Sequence, residues 1–124
     1  MKYLMWIAAG LMGLTSAVHL FLGTGDIMSP IMQAETLDPA IRAIAMVVWH
    51  MVSLMLLLST LAIAYLARTP NQALKWFVIS MQVGFTLIFL FYNITHFAAL
   101  FVLPQWTVFL IVPILMIFAR PKAA

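Results

Sequence analysis

The stretch IRAIAMVVWHMVSLMLLLSTLAIAYLA, residues 41–67, decides what kind of protein this is. After Arg42 it carries no charge, and His50, Ser53, Ser59, Thr60 and Tyr65 interrupt an otherwise apolar run. About 20 apolar residues of helix cross a bilayer core of ~30 Å, so the stretch reads as a membrane-spanning helix. An imidazole inside such a helix is costly unless it meets a partner. Trp49-His50 is therefore the first pair to explain.

Working outward, the whole chain shares this character. Of its 124 residues, 66% are hydrophobic and 7% charged, against about 25% charged in soluble domains. The length suits a single integral membrane domain, 1–124, and leaves no room for an added soluble catalytic domain. The absence of cysteine excludes disulfides, thiolate metal sites and cysteine nucleophiles. The net charge of +3 sits at helix ends, where membrane topology uses it, and does not point to nucleic acid. The N-terminal apolar run has the outline of a signal peptide. It contains His19, however, and Gly23-Thr24-Gly25-Asp26 is a poor cleavage site, so it reads as a mature helix.

Hydrophobic runs and breaker residues predict an all-α, four-transmembrane-helix bundle with helices over 3–23, 41–67, 74–103 and 106–119. The Gly23–Asp26 sequence is expected to end the first. Ser29-Pro30 then opens a short interfacial helix in the first periplasmic loop, and Asp38-Pro39 caps the second span. Thr69-Pro70-Asn71-Gln72 is a turn, and Pro104-Gln105 breaks the third run. The last helix would cover about 21 Å, less than the bilayer core, with Pro113 inside it. Lys2, Arg68, Lys75, Arg120 and Lys122 fall on one side, and Arg42 with Asp26, Glu35 and Asp38 on the other. The positive-inside rule then gives N-in, C-in. Gly10 and Gly13 are expected to let a neighbouring backbone approach closely.

The chemistry-bearing residues are three histidines. Counted from the outer helix ends, His19, His50 and His96 lie about 6, 14 and 10 Å deep, one layer within the boundary error. Three imidazoles are a sufficient first shell for zinc or copper, and two on facing helices can hold haem b axially. Ser16, Asp26, Trp49, Ser53 and Asn93 are placed to support them, the hydroxyls and amide as hydrogen-bond partners. Gln82, Phe85, Phe89, Asn93 and His96 form one stripe at helical spacing, in which Gln82 and Asn93 either line a polar path or bond across helices. Against this stand separate structural roles: a lone membrane histidine is more often an interhelical contact. The ten methionines read mainly as packing.

The run His19-Leu20-Phe21-Leu22-Gly23, then Pro30-Ile31-Met32, then Trp49-His50-Met51-Val52-Ser53, resembles a group of small four-helix inner-membrane proteins of proteobacteria. That group carries His-x-Phe-x-Gly, a Pro-Leu-Leu-like step and Trp-His-x-x-Thr/Ser. The resemblance covers the first half of the chain. It implies a bacterial inner-membrane location and no particular chemistry. In layout alone the chain is also similar to DoxX-type membrane proteins. Three functions follow as expectations: a transition-metal (Cu or Zn) or haem site near the periplasmic side, a non-catalytic accessory or assembly subunit, and a small proton-linked transporter. Partners are the lipid bilayer and either a second copy or a larger membrane complex. Whether the protein is an enzyme stays open.

Overall fold

The structure, a computed structural model, describes residues 2–119. Arg120 and Lys122, two of the basic residues used for the topology, lie outside the described residues. Helix α1 is Lys2–Ala17; it continues without a break into a π-helical segment, Val18–Met28, and then α2, Ser29–Gln33. Next come α3 (Pro39–Leu66), α4 (Gln72–Phe97) and α5 (Trp106–Phe118). Three helices are long and apolar enough to cross a membrane, Tyr3–Gln33, Pro39–Leu66 and Gln72–Phe97, and α5 is a shorter apolar one.

The first helix thus runs past the point where the sequence predicts its end, and the separate interfacial helix becomes its last turns. Neither Gly23 nor Gly25 takes the left-handed conformation that would terminate a helix. Thr24 bonds back to Leu20 O (2.6 Å), and the Ser29 N–H reaches Thr24 O, five residues back, the π register. Pro30 follows in the first turn of α2, where a missing N–H is tolerated. At the far end the Arg42 guanidinium donates to Met32 O (3.0 Å). A cation there satisfies a terminal carbonyl and opposes the helix dipole.

The cap of α3 is the one the sequence signals, whereas α4 begins at Gln72, two residues before the expected 74, and takes its cap from Asn71 inside the expected turn. The Asp38 carboxylate accepts from the Ala40 N–H (2.7 Å), with Pro39 at the first helical position. The Asn71 side chain accepts from the Leu74 N–H (2.9 Å). Helix α4 stops at Phe97, short of the expected 103. Ala98 turns left-handed (φ 47°), its N–H reaching Ile94 O and that of Ala99 reaching Asn93 O, an αL stop built without glycine. Asn93 holds the returning chain, donating to Leu103 O (2.7 Å) and accepting from the Leu103 N–H (2.9 Å).

Helix α5 packs between α1 and α4. Its ends meet α4 at the Asn93–Leu103 clamp and where Lys75 Nζ reaches Ala119 O (3.4 Å). Those points are about 27 Å apart along α4, so the short helix and its flanks cover nearly the thickness α4 covers. The core joins Met5, Ala8 and Met12 of α1, Leu56 and Ile63 of α3, Val78 and Ile79 of α4, and Phe109, Val112 and Met116 of α5. Phe85 and Phe89 both pack on Phe109, with ring centroids 5.3 and 5.8 Å away. Gly13 sits 3.4 Å from Thr60 Cγ2 of α3, measured from the Cβ it lacks, whereas Gly10 meets nothing within 4 Å. The neighbour at Gly13 is a side-chain methyl at ordinary contact distance, so neither glycine receives the expected close backbone approach.

Candidate functional site

The site that forms joins the π segment to α3. The His19 ring stacks on Trp49, with centroids 4.0 Å apart and planes 20° from parallel. His19 Nε2 lies 3.4 Å from Trp49 O, long for a hydrogen bond. The Ser53 hydroxyl donates to the same carbonyl (3.0 Å). On its other edge Trp49 donates its indole N–H to Thr24 Oγ1 (3.1 Å). A Cβ on Gly23 would stand 3.0 Å from Trp49 Cζ2. The glycine that the sequence marks as a helix end is instead where the indole seats itself.

Local sequence explains this arrangement. His19 and Thr24 are five residues apart, neighbours along an i→i+5 ladder and not along an α-helical one. The π register therefore aims the imidazole and the hydroxyl at the same tryptophan. A Trp at membrane depth needs an acceptor for its N–H. Thr24, absent from the sequence-based candidates, supplies it. The signal was in the sequence: an indole too deep for an aromatic belt, and a threonine offset by five from a histidine.

His50 and His96 take other paths. His50 is exposed on α3, about 100° round the helix from Trp49. Its flank is opposite the one where Met55 and Ser59 face α4. Val47, Met51, Leu54 and Leu57 beside it are exposed and apolar, and among the described residues no hydrogen bond reaches its ring. His96 is exposed in the last turn of α4, with Nδ1 2.9 Å from Thr95 Oγ1 and its ring 5.0 Å from that of Tyr92. Among the described residues no three His, Asp or Glu side chains come together as a group able to hold a metal ion. Counted from the observed helix ends at Gln33 and Phe97, His19 lies well inside its helix and His96 in the last turn, so the three imidazoles share neither the expected layer nor a site.

The supporting residues divide likewise. Trp49 and Ser53 belong to the His19 cluster. Ser16 donates to Met12 O (3.0 Å) and touches Thr60 Oγ1 (3.3 Å), serving α1–α3 packing. Asp26 is exposed on the π segment. Asn93, fully buried, is spent on the Leu103 backbone. Gln82 is fully buried too, with Nε2 3.6 Å from Met12 Sδ and Oε1 unpartnered. Comparison with protein-family models, with curated proteins and with solved structures finds no match for the chain.

Proposed function

We propose that this is a non-catalytic accessory protein of the bacterial inner membrane, N-in and C-in, that acts by associating with another membrane chain through the His50 flank of α3. The observation that carries the reading is His50 itself. Most polar side chains within the long helices are engaged inside the chain: His19 with Trp49, Ser53 and Ser59 with backbone carbonyls, Asn93 with Leu103. His50 stands bare among apolar neighbours. In hydrocarbon an unsatisfied polar group is costly, and a hydrogen bond from a facing helix is the usual compensation. The amides that a transport path would need are buried within the chain, Asn93 on Leu103 and Gln82 against Met12.

The test is the mass of the native particle after gentle solubilisation, for wild type and His50→Leu. The expected result is a particle larger than the 13.9 kDa chain plus its lipid, which dissociates in the variant. A monomer in both would overturn the reading. An absorption spectrum and metal analysis of the same samples separate the rival: a Soret band or stoichiometric metal lost in His50→Ala would make the imidazole a ligand instead.

A further inference from the structure

We infer that the cleft between α3 and α4 binds one acyl chain of an anionic phospholipid from the leaflet at the Arg68–Lys75 end of the bundle. The cleft has a volume of about 370 Å³. Leu58 and Ala62 of α3 face Phe77 and Met81 of α4, over a floor of Ser59 and Val78. Ser59 is the polar residue of the lining, and its hydroxyl already donates to Met55 O (2.7 Å). The occupant therefore needs no hydrogen-bonding group at this depth. Water is disfavoured for the same reason, because a buried water requires two to four polar partners.

Shape and depth narrow the choice. The groove is open along one side, and a flexible hydrocarbon chain fills such a space by following its apolar walls. Along α3 the lining runs from Ala62 to Met55, and along α4 from Leu74 to Met81. Measured from the intervening turn, that is a depth of roughly 3 to 16 Å, or one leaflet of a ~30 Å core. Tyr65 and Trp76 are exposed at this end, where aromatic side chains mark the headgroup level. A cleft left empty would cost its walls their dispersion contacts.

Charge selects the headgroup. Arg68, over the Trp6 ring, and Lys75, reaching Ala119 O, make this end of the bundle positive at headgroup level, and all three acids, Asp26, Glu35 and Asp38, belong to the opposite end. Basic residues at the membrane surface attract anionic lipid.

Native mass spectrometry after detergent exchange is the first measurement. Wild type is expected to retain one anionic phospholipid per chain. Ala62→Phe, which fills the cleft, is expected to lose it, and Leu61→Phe, on the outer face, to keep it. Retention unchanged in Ala62→Phe, retention of a quinone or other isoprenoid, or no retained lipid would each overturn the inference. Photolabelling of wild type with a mid-chain diazirine phospholipid does not depend on a variant folding. Adducts are expected to concentrate on Leu58, Phe77 and Met81, at least fivefold over exposed Leu87 and Ile88. Even labelling of all outer faces would overturn the proposal.

Discussion

At the scale of single residues, the polar side chains of this chain differ in whether their partner is present. Trp49 is held on three sides, by the His19 ring, the Thr24 hydroxyl and the open backbone at Gly23. It cannot yield the few tenths of an ångström that a methyl group at Gly23 would need. Gly23→Ala is therefore expected to lose roughly 1–2 kcal/mol, overpacking outweighing the gain in helix propensity. Gly10→Ala meets nothing and is expected to be neutral or slightly stabilising; thermal unfolding in detergent compares the two. The buried amides give an opposed pair. Gln82 Oε1 has no partner, so Gln82→Met, of similar shape, should be neutral or raise stability by about 1 kcal/mol. Asn93→Leu removes two hydrogen bonds and strands the Leu103 N–H and C=O, and should cost about 2–4 kcal/mol by the same assay. Sequence alone ranked these amides together, because burial and partner count come from the fold.

At the scale of elements, helix ends were legible where one side chain makes the cap and illegible where a distant residue decides. Asp38-Pro39 could be read directly, since its bond closes within two residues. The Gly23–Asp26 sequence could not. A glycine serves both a left-handed stop and a close approach, and here Trp49, 26 positions further on, selects the second use. The end of α4 was misplaced for a related reason. The apolar run continues past Phe97, and the stop comes from Asn93 gripping Leu103 across a reversed chain. That stop places an alanine at φ 47°, a conformation costing an L-residue about 1–2 kcal/mol. Ala98→Gly is expected to recover up to about 1 kcal/mol, seen as a higher midpoint in a detergent melt with the helical content unchanged.

At the scale of the molecule, the charges separate the two ends. Arg68 lies over the Trp6 ring (5.4 Å) and Lys75 reaches Ala119 O, so the start of α1, the end of α3, the start of α4 and the end of α5 share one end. Asp26, Glu35 and Arg42 mark the other. The absence of native cysteine makes the proposed orientation directly testable. A membrane-impermeant thiol reagent added outside intact cells with a permeabilised outer membrane should label Glu35→Cys and spare Asn71→Cys until the inner membrane is opened. The reverse pattern would invert the topology.

The sequence by itself determined that this is an all-helical protein with three long apolar helices and a shorter one, because helix length and apolar content are properties of contiguous residues. It named the three histidines, but their depths are counted from helix ends that the fold sets at Gln33 and Phe97. Tertiary structure alone decided which of them meet. Direction around an axis depends on register, and a single π segment re-aims His19 and Thr24 onto Trp49, while His50 and His96 face outward from their own helices.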